Sequence, residues 1–453
     1  MRMTLLAKVL RLRRELTRPE SWTRAQLETH QAALLRELRA YACDASSFYR
    51  RFHDGMAGAP LHELPILTKG MLMEHFDEVV TDREVRLQQV TSFLASTRGA
   101  ELFRGSYYVA RTAGTTGQPG IFLWNADEWA GILASYNRPY AWGGANFRLT
   151  RRSSMAVVSS TTPWHQSALV GATVDSPILR TLRIDSGGPL EDVVAQLQRF
   201  RPDVLVGYAS MLRLLAAEQS ADRLHIAPNA MFSASEVLTD ATRRAIATAW
   251  SREPFNVYAA TETAGVAAEC QHHTGMHLFE DLVITEVVDE QNRPVAPGNY
   301  GARVLVTVLG SRTIPLIRYE LSDSVRLSSA SACPCGMPFT RIDGLQGREQ
   351  EALRLRGIDG GEVVIQPVVF HRIMDTVPTS AWQIVRESAE LRVLLAGLPV
   401  GSGSEGLAGK VRKELTQLGA SVPPIRIERV ASIPRTALGK APLIRSVGTQ
   451  PDP

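Results

Sequence analysis

Arg111-Thr112-Ala113-Gly114-Thr115-Thr116-Gly117-Gln118-Pro119-Gly120 is the stretch on which the reading of this chain turns. Glycines and hydroxyl residues alternate in it without a large apolar side chain, so it cannot form part of a core. Glycine lets the backbone come close to an anion and adopt positive φ, while amide N–H groups and threonine hydroxyls offer neutral donors to phosphate oxygens. A Walker loop would need a lysine directly after its last glycine, and no such string occurs in the chain. A different phosphate-binding fold is implied, although composition alone also allows a flexible polar linker. Motifs further along the chain decide between the two.

Downstream come Tyr258-Ala259-Ala260-Thr261-Glu262, then Ile317-Arg318-Tyr319-Glu320-Leu321-Ser322-Asp323, Gly347-Arg348, and Pro434-Arg435-Thr436-Ala437-Leu438-Gly439-Lys440. Upstream are Ser47-Phe48-Tyr49-Arg50 and Leu64-Pro65-Ile66-Leu67-Thr68-Lys69, and Glu269-Cys270 follows the tyrosine-to-glutamate motif. In this order and spacing the set resembles the adenylate-forming superfamily of acyl-CoA synthetases, luciferases and nonribosomal-peptide adenylation domains. Within it, the pattern is similar to the phenylacetate-CoA ligase and coenzyme F390 synthetase branch. The resemblance spans nearly the whole chain.

A length of 453 residues exceeds what one hydrophobic core usually serves, so two domains are expected. Fifty basic against 46 acidic residues leave a formal charge of +4, too slight for a nucleic-acid partner, which would call for a basic face or stripe. No apolar run reaches the roughly 20 residues that span a bilayer, and a soluble, cytoplasmic protein is expected. Arg2, Lys8, Arg11, Arg13 and Arg14 around Leu5, Leu6, Val9 and Leu10 read as a solvated amphipathic helix in preference to a short transit peptide. Cys43, Cys270, Cys333 and Cys335 are too few and scattered for a disulfide framework and fit a reducing compartment.

Apolar spacing at Leu27, Leu34, Leu35 and Leu38 predicts a helical N-terminal segment with a structural role. Between the glycine-rich loop and Asp323, short apolar runs (Met155–Val158, Asp203–Val206) alternate with helical patterns (Leu190–Phe200, Met211–Gln219). That alternation argues for an α/β sandwich with parallel strands. The glycine-rich loop, Ser233–Glu236 and Tyr258–Glu262 are expected as loops at strand ends, where such sheets bind ligands. From Asp281 to Val308 the pattern turns antiparallel around Pro297-Gly298-Asn299. The resemblance implies a large, multi-sheet α/β domain over 1–346, with a zinc-bearing subdomain near 270–336. It also implies a small mobile α+β domain over 347–453, hinged near Gly347–Glu351. A strand at Leu391–Leu395, a linker at Gly401–Gly406 and a helix at Leu407–Leu418 are read in the latter.

The chemistry implied by the resemblance is attack of a carboxylate on the α-phosphate of ATP, giving an acyl-adenylate and pyrophosphate. An anion then meets an anion, so cations and fixed donors must surround the reacting phosphorus. On the family's pattern Thr112, Gly114, Thr115, Thr116 and Gly117 hold the β- and γ-phosphates, Glu262 holds Mg²⁺, and Thr261 contacts the α-phosphate. Asp323 takes the ribose hydroxyls, Arg348 the ribose or α-phosphate, and Tyr258 flanks the adenine opposite Ser235 and Glu236. Lys440 swings in to bridge carboxylate and phosphate. Gly120 stands where the family often has lysine, so charge from elsewhere gains importance. His165, Ala259 and Ala260 are candidates for the acid pocket, with a satisfied surface histidine as the plain alternative for His165; Tyr136 and Trp164 are weaker candidates.

Cys270, Cys333 and Cys335 with a histidine supply donors suited to a tetrahedral zinc ion, and Cys333-Pro334-Cys335-Gly336 is a knuckle able to place two sulfurs on one metal. His277 is taken as the fourth ligand, with His272 and His273 in competition. Three buried thiols beside a surface histidine are the alternative. Four protein ligands leave no open position, so the site is structural. The expected activity is ATP-dependent ligation of a small aromatic acid, with coenzyme A as acceptor. Arg356–Glu362 lacks the family's Arg-Gly-x-Asn-x-x-Pro pattern, and Glu349-Gln350-Glu351 lacks its paired aspartates, so an amine, a hydroxyl or a carrier-protein thiol competes as acceptor. A non-catalytic adenylate-binding protein is the third reading, disfavoured because Glu262 and Lys440 are both present.

Overall fold

A computed structural model describes residues 3–97, 101–112, 119–145, 152–330, 332–348, 352–365, 367–374, 377, 379, 381–398, 406–434 and 442–446. At its centre is a nine-stranded sheet in the order Asp323–Leu327, Arg341–Arg348, Met276–Leu278, Ala264–Glu269, Phe255–Ala260, Ala230–Ala234, Val204–Gly207, Ser153–Ser159 and Leu179–Asp185. The last five are mutually parallel and the first four are joined antiparallel. Helices Leu190–Phe200 and Ala209–Ser220 provide the crossovers read from the sequence. The inner parallel strands Val204–Gly207 and Ala230–Ala234 are short, nearly all-apolar runs because both faces are covered, whereas the edge strand Leu179–Asp185 carries Arg180 and Arg183.

Two expectations about loops are corrected. Tyr258–Ala260 lies in a strand, not a loop, and turns tightly into Ala264–Glu269, with Ala260 opposite Ala264. Only residues 261–263 form the turn, and Ala264 closes it at φ +63°, the left-handed residue that three-residue hairpin loops require. Likewise Ser233 and Ala234 end a strand, and the chain bends at Ser235, φ +67°.

Antiparallel strands Val283–Val288, Arg303–Val308 and Tyr319–Leu321 form a second sheet. As read, Pro297-Gly298 turns the chain ahead of the middle strand, with Gly298 at φ +90° and the Asn299 amide donating to the Ala296 carbonyl. Arg318, part of a quoted motif, is buried in an ion pair with Glu286 at 3.1 Å. It anchors the architecture. Beyond residue 352 a four-stranded sheet, in the order Ile425–Val430, Leu391–Ala396, Ala381–Arg386 and Ile444–Ser446, packs with helices Pro367–Met374 and Leu407–Gln417. Its cluster of Leu353, Phe370, Ile384, Val393 and Val411 is distinct from the clusters around the large sheet.

At the other end of the chain, Thr23 and Gln26 form a capping box that starts helix Arg24–Ala45, as the N-terminal periodicity implied. Helix Met3–Glu15 is amphipathic, as read, but it is not simply solvated: Leu5, Leu6 and Val9 are buried. It lies along helix Ala126–Trp142. Lys8 pairs with Asp127, and the Leu16 carbonyl just beyond the helix accepts from Arg138 Nη2 at 2.8 Å. Arg138 in turn makes a two-pronged ion pair with Asp281, at 2.8 and 2.7 Å, and both side chains are buried. Such a forked pair holds its partners in one geometry, and breaking one side would leave a charge buried alone. No helix of the described residues is long and apolar enough to cross a membrane.

Candidate active site

The C-terminal ends of Ala230–Ala234 and Phe255–Ala260 gather most of the expected residues that fall within the description. Tyr258 Oη donates to Asp323 Oδ2 at 2.8 Å, a buried bond across 65 residues. Asp323 also pairs with Arg348 in the strand register, so the residue expected at the ribose neighbours in the fold both those expected at the adenine and at the phosphate. Glu262 and Thr263 sit in the hairpin turn and are buried. On the opposite flank, Gln166 Nε2 donates to the Thr261 carbonyl at 3.0 Å, and Tyr136 Oη donates to Gln166 Oε1 at 3.2 Å. The turn holding Glu262 is thus braced from both sides.

Tyr136 and Ala259 face a cavity of about 130 Å³ between the sheet and its covering helices. The strands contribute every second residue, Met155 with Val157, Phe232 with Ala234, and Val257 with Ala259, as one face of a pleated sheet must. Ser235 joins them at the strand end. Burial pushes the phenols of Tyr136 and Tyr140 well above the ordinary tyrosine range, so both are neutral donors.

Other expected residues stand differently. His165 is buried rather than on the surface; its Nδ1 lies 2.8 Å from Ser167 Oγ at the start of helix Gln166–Val174, and it does not line the cavity. Glu236 accepts from the Ser210 amide at 2.8 Å in the first turn of Ala209–Ser220, so its carboxylate satisfies a helix N-terminus. Ala260 is buried in the core beside the turn. The Thr112 hydroxyl accepts from the Gly120 amide at 2.8 Å and the Gly120 carbonyl accepts from the Thr112 amide at 2.9 Å, closing the neck of the glycine-rich loop. Gly114, Thr115, Thr116, Gly117 and Lys440 lie outside the described residues.

Sequence reading missed three residues here. Gln166, the brace, carries no signal outside its context. Arg111 stacks over Trp164 at 4.1 Å, and its amide donates to the Trp164 carbonyl at 2.9 Å, fixing the loop's base to that segment. Lys69 closes the quoted Leu64–Lys69 motif, and its Cδ lies 3.5 Å from where a Cβ on Gly120 would stand. The lysine absent from position 120 has a neighbour from another segment.

Cys270, His277, Cys333 and Cys335 come together with their donor atoms within 4.8 Å of one another. Cys270 Sγ is 3.7 Å from Cys333 Sγ, and Cys335 Sγ is 3.4 Å from His277 Nε2. Tetrahedral zinc with Zn–S near 2.3 Å requires sulfurs about 3.8 Å apart, so the set fits the ion. Burial lowers the His277 pKa to about 4, keeping the imidazole neutral as a ligand must be. His273 is committed elsewhere: it stacks on Phe255 and its Nδ1 lies 3.1 Å from Glu269, which also pairs with Arg243. His272 is not in the cluster. The cluster lies at the far end of strand Ala264–Glu269 from the hairpin turn, about 20 Å along the strand.

A phenylacetate-coenzyme A ligase of Thermus thermophilus is 27% identical over 400 residues, covering 83% of this chain and 82% of that protein. A 2-hydroxyisobutyryl-CoA ligase in its postadenylation state superposes with a TM-score of 0.72 at 19% identity, over 95% of this chain and 92% of that one. In sequence the chain is similar to phenylacetate-coenzyme A ligases, and its fold is that of an acyl-CoA ligase. An Escherichia coli K12 protein, also named phenylacetate-coenzyme A ligase, is 26% identical over 74% of each chain. No family model matches the chain.

Proposed function

We propose that the chain is an AMP-forming ligase that adenylates a small aromatic acid and passes the acyl group to the thiol of coenzyme A, as a cytoplasmic enzyme. The observation that carries this reading is the double bracing of the Tyr258–Glu262 hairpin, tied to Asp323 on one flank and to the cavity's Tyr136 through Gln166 on the other. Nucleotide and acid would then meet at one fixed turn. Fixed groups are what a reaction between two anions requires, because they need not reorganise as charge shifts.

In this mechanism Asp323 accepts from the ribose hydroxyls and Tyr258 lies against the adenine beside Ser235. The loop closed by Thr112 and Gly120 surrounds the β- and γ-phosphates, and Arg348 and Lys440 bring cations to the α-phosphate. Glu262 is the carboxylate suited to Mg²⁺, which when bound offsets the charge of the triphosphate. The unit from about residue 347 onward acts as a mobile domain that presents Lys440 for adenylation and the Arg356–Glu362 turn for acyl transfer. Cys270, His277, Cys333 and Cys335 hold a structural zinc that ties the hairpin to the strands bearing Asp323.

Pyrophosphate release from ATP, measured over a panel of carboxylic acids with and without coenzyme A, tests the reading. Acid-dependent release and a CoA thioester are expected; no release with any acid sinks it, and release without thioester removes the acceptor. A protein-borne thiol is the second acceptor to assay. It is favoured by Ile358, 66% exposed at the tip of the Arg356–Glu362 turn, where free CoA alone gives no reason for so large an apolar side chain.

A further inference from the structure

The N-terminal helix carries two apolar stripes where a surface helix needs one. Leu5, Val9 and Leu12 follow the spacing of a core-facing stripe and belong to the main hydrophobic cluster or pack against it. Leu6, Val9, Leu10 and Arg13, spaced i, i+3, i+4 and i+7, form a neighbouring stripe that lines the cavity. Leu6 is only 7% exposed, yet neither it nor Leu10 belongs to any packed cluster among the described residues. Their apolar surface faces the same space as Ala234, Ser235 and Ala259.

We propose that this helix is a wall of the acid pocket and that Leu6 and Leu10 set the size of the acyl body the enzyme accepts; this rests on the adenylating reading above. The occupant is a monocarboxylic acid with an elongated, apolar body. Ser235 and Ala259 stand next to the braced hairpin, which receives the carboxylate, and the apolar body extends from there toward the helix. A volume of about 130 Å³ is close to that of apolar cavities, about 150 Å³, that hold one benzene-sized ring. The stripe from Leu6 to Arg13 runs about 10 Å along the helix axis, so the space favours a ring on a short tether over a compact, branched acid. The helix is held in place without help from any ligand, through Arg138 to the Leu16 carbonyl and Lys8 to Asp127. It is therefore a fixed gauge of length.

The test compares wild type with Leu10→Trp, which fills the cavity, and Leu10→Ala, which enlarges it. Pyrophosphate release is measured with phenylacetate, 4-phenylbutyrate and 6-phenylhexanoate. Filling should lower the kcat/KM ratio of the longest to the shortest acid by about tenfold or more, and enlarging should raise it, since one methylene in an apolar pocket discriminates on that scale. Melting temperature with each acid but no ATP gives a readout independent of turnover, with the acid-induced rise following the same order. Identical acid profiles in all three proteins would overturn the proposal. Should no acid release pyrophosphate, the adenylating reading fails and the melting shifts decide alone: a rise graded by residue 10 upholds the pocket wall, and no rise with any acid removes it.

Discussion

At the scale of single residues, the Tyr258 to Asp323 bond separates two roles that a kinetic experiment can part. Asp323 would bind ribose directly, while the Tyr258 hydroxyl orients it. Tyr258→Phe should raise the KM for ATP about three- to tenfold, the worth of an ordinary hydrogen bond, with a smaller change in kcat. Asp323→Ala should weaken ATP further, and a Tyr258→Phe enzyme with unaltered ATP dependence would remove the positioning role. His53 makes a prediction about stability. It is buried beside Tyr49 and Phe52, and neither ring nitrogen finds a hydrogen-bond partner among the described residues. Burial, and then the nearby Arg39, lower its pKa to about 4 from an ordinary value near 6.5. The unfolded chain therefore binds a proton at a pH where the folded one does not. Stability is retained above about pH 6.5 and falls as the pH drops from there toward 4, by on the order of 1–3 kcal/mol. Urea midpoints measured across that range should decline less steeply in His53→Phe than in wild type.

Elements carry the metal prediction and most of what the sequence made legible. The knuckle of Cys333 and Cys335 lies between strands Asp323–Leu327 and Arg341–Arg348, while Cys270 and His277 flank the turn after the hairpin. Zinc would thus staple two strand connections far from the reaction. Elemental analysis should find one zinc per chain. The double substitution Cys333→Ser with Cys335→Ser should lose it and cost about 3 kcal/mol or more of stability, because structural zinc contributes folding free energy. Retained metal in that variant would show that these thiols are not ligands. Strands Ser153–Ser159 and Val204–Gly207 and their crossover helices were readable because buried strands are apolar runs and half-buried helices repeat every three or four residues. The Phe255–Glu269 hairpin was not. Ala259, Ala260, Ala264, Ala267 and Ala268 give it little strand character, since its alanines and Gly265 allow close packing under Phe279, which a Cβ on Gly265 would meet at 2.6 Å. The candidate site residues were legible as motifs, whereas their surroundings, Gln166 and the N-terminal stripe, depend on contacts no local pattern encodes.

For the whole molecule, the proposed two-step reaction needs two arrangements of the C-terminal unit, since Lys440 and the Arg356–Glu362 turn cannot both occupy one site. Lys440→Ala should reduce adenylate formation by about 10²-fold, the scale for losing one group that stabilises developing charge, with little change in melting temperature. Near-normal pyrophosphate release would reassign that lysine. Proline at Gln350 should slow acyl transfer more than adenylation if the swivel lies there. Arg213 donates to the Thr379 carbonyl between the two units, a contact such a swivel must break and remake. The Arg138 clamp has a consequence of another kind, one of timing. Leu16 and Arg138 are held by Asp281, which leaves the ribosome 265 residues after Leu16. At translation speeds of about 5–20 residues per second, that interval is roughly 13–53 s. The first helix, with its leucines on two faces, is thus made early and seated late. The wall of the pocket waits on a carboxylate from the middle of the chain.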